Sequence, residues 1–442
     1  MSSSSSRSWR RADPRERVGS EVAPPVDTSY RVSGGQPLRG VVTLSGSKNA
    51  VLPCLSAALL TEEEVVIRNV PDIADVRTML SLFEALGVTT SFTDGTVRVC
   101  AKHLRPCEIP HDLVKRFRAS ILFLGPFLAR FGEVRLPYPG GDVIGKRPVQ
   151  AHIHALRQLG AEDRSVEDEI HLVGRLHPTE VILPEFSVTA TENVLLASAL
   201  LDGPTAIRLA ACEPHVQNLC TCLTQLGVRV DGRGTHDLVV HGGQVHGGDH
   251  TVATDYLEAG FFILAALLTD GWLRLERVHR DDLLSFLTVV ESVAPGAVRF
   301  LDPTTIQTCR RGPLQPCAVR TNVFPGFPTD LLPLLGVAVT QSQGVSRLFE
   351  RLYEGRFGYL YELEKMGAKV EILNAHEALV IGPTRLRGRT VTSHDIRAGA
   401  AMILAALVAE GETIITDVRY IDRGFDHLDG KLREVGAIIE RK

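Results

Sequence analysis

The sequence predicts an α/β protein made of six copies of one repeated unit, grouped as two domains of three units each. At 442 residues the chain is longer than one hydrophobic core usually serves, so two domains are the default. A short phrase containing a glycine, such as A-L-G-V, recurs six times. Each unit also carries Ala/Leu-rich runs that are apolar nearly all round, which is typical of helices buried at the centre of a domain.

The repeat is defined by six glycines, each of which follows a predicted amphipathic helix. The intervals between them are 73, 67, 69, 71 and 69 residues, and the glycines are Gly87, Gly160, Gly227, Gly296, Gly367 and Gly436. A glycine in the left-handed conformation commonly ends a helix. Repeats of this length indicate one supersecondary unit that was copied and must stack on its neighbours to bury its apolar face. A solenoid would need the same repeat, but just six copies favour a closed two-domain assembly.

Each unit predicts the same order of elements. A short β-rich run is followed by a buried helix, an acidic-glycine turn, a β-branched strand, an amphipathic helix and a further strand or hairpin. The β-rich runs include Gly40–Leu44 and Thr390–Thr392. The buried helices are predicted at Ala50–Leu60, Thr191–Leu201, Glu258–Thr269 and Ala398–Ala409.

Composition favours a cytoplasmic protein. The chain has 44% hydrophobic and 23% charged residues and a net charge of −4, which gives no reason to expect nucleic acid or an anionic membrane as a partner. The eight cysteines form no C-x-x-C pair, so we expect reduced, mostly buried thiols. No uninterrupted apolar run approaches the roughly 20 residues needed to span a bilayer. No metal-ligand spacing is apparent, and the sequence makes no prediction about partner proteins.

The N-terminal segment has a different composition from the rest. Residues 1–28 are rich in serine, arginine and proline and begin M-S-S-S-S-S-R. Arg10 and Arg11 form a twin arginine, but the apolar segment of an export signal does not follow them. We therefore predict a disordered tail.

A loop is predicted from Leu136 to His152, where prolines and glycines are frequent. Asp142 follows two glycines, and Lys146 and Arg147 come shortly after it. A mobile loop with a carboxylate near two cations suits anionic substrates and proton transfer. By itself the stretch favours a glycine-rich surface turn with solvated charges, and the rest of the chain changes that interpretation.

Charged and polar residues recur where the units begin or turn. Helix starts favour anions through their free N–H groups and the helix dipole. Any one of these residues could be an ordinary solvated charge, but a set at equivalent repeat positions would converge if the two domains face each other. The set is Lys48, Asn49, Arg118, Asp330, Arg356, Asp395, Arg397, Asp422 and Arg423.

From about Tyr30 to Lys442 the chain resembles the enolpyruvyl transferase family. The matching motifs are L-S-G-S-K-N-A-V-L-P, R-A-S-I-L-F-L-G-P, P-G-G-D-V-I-G-K-R-P-V, S-V-T-A-T-E-N, F-P-T-D, Y-E-G-R-F, D-I-R-A-G-A and Y-I-D-R-G, in the family's order. The resemblance implies the inside-out α/β barrel fold, with substrates in the cleft between two domains. It implies one domain of residues 29–46 with 254–442, and a second domain of residues 47–253 that carries the Asp142 loop.

The resemblance also implies a reaction. An acceptor hydroxyl would be joined to C2 of phosphoenolpyruvate, with release of phosphate and no metal or organic cofactor. The default acceptor is the 3-hydroxyl of UDP-N-acetylglucosamine, as in peptidoglycan precursor synthesis. The phosphate and carboxylate of phosphoenolpyruvate require several cations, preferably planar guanidinium groups. Those implied are Lys48, Arg118, Arg147, Arg397 and Arg423, with Arg356 also lining the site.

The remaining roles are likewise implied by the resemblance. Asp330 would be the base for the acceptor hydroxyl, with Asn49 positioning the acceptor, and Asp395 would support the arginines. Asp142 stands where the family usually has a cysteine and would protonate the methylene carbon of phosphoenolpyruvate. Burial would raise the pKa of Asp142 and the neighbouring cations would lower it. The implied acceptor contacts are Pro148, Val149, His152, Ser187 and Val188.

Four departures from the family's pattern lie where the acceptor would bind. The chain has R-P-V-Q-A-H for the usual R-P-V-D-L-H, Thr189 for a glycine, Cys212 for an arginine and Tyr256 for an arginine. Ordinary divergence is one interpretation. Another is a different acceptor, such as UMP in nucleoside-antibiotic synthesis. An interpretation of another class is an inactive relative that binds nucleotide sugars or a regulatory partner.

Overall fold

The computed structural model describes residues 28–106, 109–141, 145 and 148–442. The tail predicted for residues 1–28 therefore lies outside the described residues, except for its last residue. Asp142, Lys146 and Arg147 of the predicted loop also lie outside them.

Strands alternate with helices along the whole described chain. The strands are β1 Tyr30–Ser33, β2 Arg39–Thr43, β3 Glu64–Arg68, β4 Thr89–Thr93, β5 Thr96–Cys100, β6 Glu133–Pro137, β7 Glu162–Asp163, β8 Glu169–Val173, β9 Glu180–Ile182, β10 Gly203–Arg208, β11 Arg229–Asp231, β12 Asp237–Gly242, β13 Gly248–Thr251, β14 Trp272–Glu276, β15 Val298–Asp302, β16 Thr305–Cys309, β17 Ala318–Arg320, β18 Gly344–Phe349, β19 Lys369–Asn374, β20 Glu377–Gly382, β21 Thr390–Thr392, β22 Glu412–Thr416 and β23 Ile438–Arg441.

The helices are of two lengths, with long buried ones and shorter ones that connect the strands. The α-helices are α1 Lys48–Ala57, α2 Ala74–Ala85, α3 His111–Val114, α4 Leu124–Phe131, α5 Gln150–Gln158, α6 Val188–Ser198, α7 Pro214–Gln225, α8 Tyr256–Leu268, α9 Leu284–Val293, α10 Leu332–Val339, α11 Gly358–Lys365, α12 Ile396–Val408, α13 Arg419–Asp422 and α14 Leu428–Glu434. Short 3-10 helices cover Ala58–Leu60, Arg118–Phe123, Asp281–Leu283 and Thr329–Leu331.

Within the described residues the strands form six small sheets, and each predicted repeat unit contributes most of one sheet. Five sheets have four strands and one has three. Five of the sheets contain an antiparallel hairpin at the end of the unit, where the sequence predicted a further strand or hairpin. In the sixth sheet β1 takes the place of one hairpin strand. The strand orders are β13-β3-β5-β4, β6-β8-β7, β11-β12-β10-β9, β15-β16-β14-β2, β17-β18-β20-β19 and β21-β22-β1-β23.

Two hydrophobic cores lie inside these sheets. One core combines residues 30–44 with residues 256–439, and the other is built from residues 50–252. Helices α8, α10 and α12 contact one another in the first core and are almost wholly buried, so the sheets cover them from outside. The proposed domain boundaries, at residues 46/47 and 253/254, fall between the two cores.

The chain passes between the two cores twice, and the two crossing segments are hydrogen-bonded to each other. The Ser47 amide donates to the carbonyl of Ala253 at 2.8 Å, and the Asp255 amide donates to the carbonyl of Ser45 at 2.9 Å. A Cβ atom on Gly46 would lie 1.8 Å from the carbonyl oxygen of Asn69, so only glycine fits at this crossing. The two crossings therefore form one paired connection.

The buried helices begin two or three residues before the apolar runs that predicted them. The helices predicted to start at 191, 258 and 398 start at 188, 256 and 396. Side chains just before each helix accept hydrogen bonds from its first N–H groups: Ser187 from Ala190, Asp255 from Leu257, and Asp395 from both Arg397 and Ala398. These capping residues determine where each helix begins, whereas the apolar pattern in the sequence starts only after the first turn of the helix.

No helix within the described residues is both long and apolar enough to cross a bilayer. The cysteines among the described residues are all free thiols. Those that are buried are Cys54, Cys212, Cys220 and Cys222.

Candidate active site

A polar cavity of about 640 Å³ lies between the two cores and is lined by residues from both. Its size is that of a small-molecule site. Most of the residues singled out from the sequence line it. They are Lys48, Asn49, Arg118, Pro148, His152, Ser187, Val188, Asp330, Arg356, Arg397 and Arg423.

Of the predicted residues that the structure describes, Val149, Asp395 and Asp422 are not among those that line the cavity. Asp422 instead pairs with Arg441. Val149 is 3% exposed and precedes α5, so its side chain is buried in the protein. Asp395 is at the start of α12, where its Oδ1 accepts hydrogen bonds from the backbone amides of Arg397 and Ala398 at 2.8 and 2.9 Å. These hydrogen bonds fix the first turn of α12, which carries Arg397. Asp142 and Arg147 lie outside the described residues.

Three of the cationic side chains come from the first turns of helices in different units. Lys48 is the first residue of α1, Arg118 the first of a 3-10 helix, and Arg397 the second of α12. Because these helices begin at the same cavity, residues that are far apart in the chain line one space. Helix starts add partial positive charge from their free N–H groups, so the cavity suits an anionic ligand.

A buried carboxylate joins two of the cations across the cleft. Lys48 Nζ lies 2.7 Å from Asp75 Oδ2, and Arg423 Nε lies 2.9 Å from Asp75 Oδ1. Burial alone would raise the pKa of Asp75, but Lys48 and Arg423 hold it below its ordinary value. Asp75 therefore stays ionised and holds both cations at the cavity wall, one from each core.

A second carboxylate, Asp330, is held by two arginines. Arg356 Nη2 donates to its Oδ1 at 2.8 Å, and Arg397 Nε donates to its Oδ2 at 3.0 Å. Both arginines are almost fully buried. Among the described residues, Nε of Arg356 and Nη1 of Arg397 find no hydrogen-bond partner, so each arginine keeps a donor for a ligand.

Two of the four departures from the family pattern, Thr189 and Tyr256, form part of the cavity wall, whereas Cys212 precedes the lining residue Glu213. Thr189 Oγ1 is 2.8 Å from His152 Nε2, which links the start of α6 to α5. The Cys212 thiol donates to the carbonyl of Phe324 at 3.4 Å, across the two cores. Since glycine could make no such hydrogen bond, Thr189 changes the shape and polarity of this wall.

Three further polar side chains line the cavity: Glu192 and Tyr256 are buried, and Glu213 is partly buried. Burial raises the pKa of Glu192 and of Glu213, and it raises the pKa of Tyr256 well above its ordinary value. Within the described part of the chain, Glu192 Oε1 and Glu213 Oε2 have no hydrogen-bond partner. A raised pKa favours the protonated form of each group, which can donate a hydrogen bond to a polar ligand.

His215 also lines the cavity, and burial lowers its pKa to about 4. The unfolded chain takes up this proton near pH 6.5 but the folded chain only near pH 4, so the free energy of unfolding must fall as pH drops through that interval. We expect His215→Gln to lose less stability than the wild type between pH 7 and pH 5, by on the order of 2 kcal/mol. Urea unfolding at the two pH values measures this difference.

The control is His154→Gln, because His154 is exposed on α5. It should lose as much stability as the wild type over the same interval. Equal losses in all three proteins would show that His215 is not held neutral by the fold.

Sequence reasoning missed Asp75, His215, Glu192 and Glu213 as site residues. Glu192 and Glu213 lay inside or next to quoted motifs, and a carboxylate in an apolar helix could have signalled burial. Asp75 gave no such signal, because the P-D-I-A-D-V stretch also fits an ordinary acidic helix start. Its role depends on a partner in the other core.

Comparison with known proteins gives a consistent assignment. A sequence model of the family described as EPSP synthase (3-phosphoshikimate 1-carboxyvinyltransferase) matches residues 32–432. The UDP-N-acetylglucosamine 1-carboxyvinyltransferase of Methylacidiphilum infernorum is 40% identical over 417 residues, covering 93% of this chain and 98% of that protein. The protein of the same name from Treponema denticola is 38% identical over 424 residues, covering 93% and 99%.

Solved structures of two enzymes are also similar to this chain. The enolpyruvyl transferase NikO from Streptomyces tendae is 25% identical, with a TM-score of 0.84 over 95% of this chain and 99% of that one. EPSP synthase from Acinetobacter baumannii is 18% identical, with a TM-score of 0.71 over 94% of this chain and 100% of that one.

A two-domain α/β fold with a cation-rich cleft thus defines an enzyme of the carboxyvinyl-transfer class. The chain belongs to the EPSP synthase family of enolpyruvyl transferases. The predicted fold is confirmed: it is the inside-out α/β barrel, with two domains of three repeated units each.

Proposed function

We propose that this enzyme transfers the enolpyruvyl group of phosphoenolpyruvate to the 3-hydroxyl of UDP-N-acetylglucosamine, in the cytoplasm, as a step of peptidoglycan precursor synthesis. The observation that carries the proposal is the meeting of Lys48, Arg423, Arg356 and Arg397 around one cavity that also holds Asp330. The names and the 38–40% identity of the relatives support the choice of acceptor.

The cations are assigned to the donor substrate. Phosphoenolpyruvate carries a phosphate and a carboxylate, and both suit guanidinium groups. We assign Lys48, Arg118, Arg397 and Arg423 to these anions, together with Arg147 from the sequence motif. Their preorganisation by Asp75, Asp330 and Asp395 supports this, since cations already held in place need little reorganisation as charge develops.

Asp330 is the proposed base. The acceptor hydroxyl gives its proton to Asp330 while its oxygen bonds to C2 of phosphoenolpyruvate, and C3 takes a proton in the same addition. A proton then leaves C3 as the bond from C2 to the phosphate oxygen breaks, which restores the enol double bond and releases phosphate. The two arginines that contact Asp330 fix the direction of its oxygens. Asn49 is the proposed positioning residue for the acceptor.

Asp142 is the proposed donor of the proton to C3. A carboxyl group can take this role when it is protonated, which requires an environment that raises its pKa from about 3.9. The assignment rests on the position of Asp142 within the P-G-G-D-V-I-G-K-R-P-V motif.

UMP or another uridine nucleotide is the second candidate acceptor. The hydrogen bond from Thr189 to His152 and the presence of Tyr256 in the cavity favour it, because both alter the acceptor wall. Cys212 also supplies no charge where the family pattern has an arginine, which weakens the case for a diphosphate. On this alternative the enzyme would serve nucleoside-antibiotic synthesis.

An acceptor panel distinguishes these candidates. We expect phosphate release from phosphoenolpyruvate with UDP-N-acetylglucosamine to exceed that with UMP, UDP or shikimate 3-phosphate by at least about tenfold in kcat/KM, which corresponds to about 1.4 kcal/mol of differential binding. Mass spectrometry of the nucleotide product identifies the enolpyruvyl ether.

Faster phosphate release with UMP than with UDP-N-acetylglucosamine would make UMP the assigned acceptor. No release with any acceptor, from protein that is folded by circular dichroism, would favour an inactive nucleotide-sugar-binding relative. An Asp330→Asn variant is the matched control, because it keeps the shape of the side chain but cannot accept the proton.

A further inference from the structure

A second cluster of reactive side chains lies in the core of residues 50–252 and does not include any residue lining the cavity. Cys54, Cys222 and His250 each offer a ligand atom, and these three atoms lie within 4.8 Å of one another. All three residues are buried, with Cys54 and Cys222 fully inaccessible and His250 2% exposed. Two sulfurs and an imidazole nitrogen are the donor set that zinc prefers in proteins.

Three separate elements bring this cluster together. Cys54 is on α1, Cys222 is on α7, and His250 is on β13. Asn218 and Gln225 flank Cys222 on α7 at four and three residues, so the three side chains lie on one face of that helix. This face packs against α1 and β13.

The hydrogen bonds of His250 match those of a metal-binding histidine. Its Nδ1 lies 2.5 Å from Gln225 Oε1, and its Nε2 lies 3.2 Å from Asn218 Oδ1. The Ala253 amide donates to the same Asn218 oxygen at 3.3 Å, which fixes that atom as the oxygen. Histidines that bind metals usually donate the other ring N–H to an oxygen, as Nδ1 does here to Gln225.

These contacts leave one ring nitrogen of His250 with no hydrogen-bond donor facing it. A neutral imidazole carries a single N–H. With that proton on Nδ1, the lone pair of Nε2 points at an oxygen that is also an acceptor. A cation between Nε2 and Asn218 Oδ1 would remove this mismatch.

We propose that Cys54 Sγ, Cys222 Sγ and His250 Nε2 bind one zinc ion, with Asn218 Oδ1 as the fourth ligand. The Asn218 oxygen is placed for this, since it is 3.7 Å from Cys54 Sγ as well as 3.2 Å from Nε2. Four ligands of this kind give the tetrahedral geometry of protein zinc sites. Asn218 is only partly buried and provides the side from which the ion enters.

Charge balance favours the ion in this buried place. Binding displaces the protons of both thiols, and two thiolates neutralise one divalent cation. The site therefore carries no net charge, which avoids the cost of an isolated buried charge.

The ion would connect β13 to α1 and α7, two helices that carry residues lining the cavity. Cys54 lies on the same helix as Lys48 and Asn49, less than two turns further on. A zinc ion that ties α1 to α7 and β13 would thus fix the helix start that presents Lys48 to the cavity. Its role is structural, and its loss should be seen first in stability.

Metal content and spectroscopy test the proposal on the full chain. We expect the reduced protein, treated with chelator and then with Zn²⁺, to retain one equivalent after gel filtration and to release two protons per ion. Co²⁺ should give the sulfur-to-metal charge-transfer absorption of thiolate ligands. Zinc should also raise the melting temperature of the wild type.

Two variants and a matched control locate the ion. Cys54→Ala and Cys222→Ala should each lose the bound equivalent and the Co²⁺ absorption. Cys220→Ala should keep both, because Cys220 is a buried thiol on the same helix that is not in the cluster. Wild-type protein that is reduced and folded but retains less than a tenth of an equivalent would overturn the proposal without any variant. Retention of zinc by Cys54→Ala, or a Cys54–Cys222 disulfide in the purified protein with no metal bound, would also overturn it.

Discussion

Lys48→Ala and Arg423→Ala are each expected to lower kcat/KM for phosphoenolpyruvate by about 30- to 1,000-fold, which corresponds to about 2–4 kcal/mol of lost transition-state stabilisation. Each substitution removes a cation that Asp75 holds in place at the cavity wall. The fold should survive, because Asp75 keeps its other partner and no isolated buried carboxylate is left. Steady-state phosphate release measures the loss.

The control for this prediction is Arg433→Ala. Arg433 is a half-exposed arginine of the same C-terminal region, and it pairs with Asp429 away from the cavity. It should keep near-normal activity, and all three variants should melt within a few degrees of the wild type. Near-normal activity in Lys48→Ala or Arg423→Ala would remove that residue from substrate binding.

The enzyme is expected to be insensitive to fosfomycin, an epoxide that inactivates family members by alkylating a loop cysteine. A thiolate is a strong nucleophile and a carboxylate a weak one, and this chain has Asp142 at the cysteine position. The buried Cys212 and the partly buried Cys317 are poor substitutes, because desolvation raises the pKa of each thiol to about 11. Activity after incubation, followed by intact mass, measures this.

Substitution of Asp142 separates proton transfer from alkylation. Asp142→Cys should become sensitive to fosfomycin and keep part of its turnover, since a thiol can also donate the proton. Asp142→Asn cannot donate a carboxyl proton and should be slowed by about 10²- to 10⁴-fold. A covalent adduct on the unmodified enzyme, or full activity in Asp142→Asn, would remove Asp142 from the role of proton donor.

The repeat made much of the fold predictable. The glycine phrases and the all-round apolar helices gave the number of units, and each unit then formed one small sheet. Cations such as Lys48 and Arg397 could be assigned because each stands at the start of a buried helix. Periodicity allowed these predictions because it shows which residues occupy equivalent positions in the repeated units.

Periodicity could not report contacts between different units. Asp75 and Arg423 are 348 residues apart, and their ion pair depends on how the two cores face each other. The cluster of Cys54, Cys222 and His250 has the same origin, because its members come from three elements with no shared sequence spacing. The sequence suggested no metal site for that reason.

Strand β1 has a consequence for the order in which the chain can fold as it is synthesised. It pairs with β22 on one side and β23 on the other, and Ser29 and Lys442 exchange both backbone hydrogen bonds at 2.9 Å. Strand β1 therefore has neither of its neighbours until β22 and β23 have been made. The sheets of residues 47–253 draw all their strands from within that range and can form long before. Vectorial synthesis thus allows the sheets of residues 47–253 to form before the sheet that contains β1.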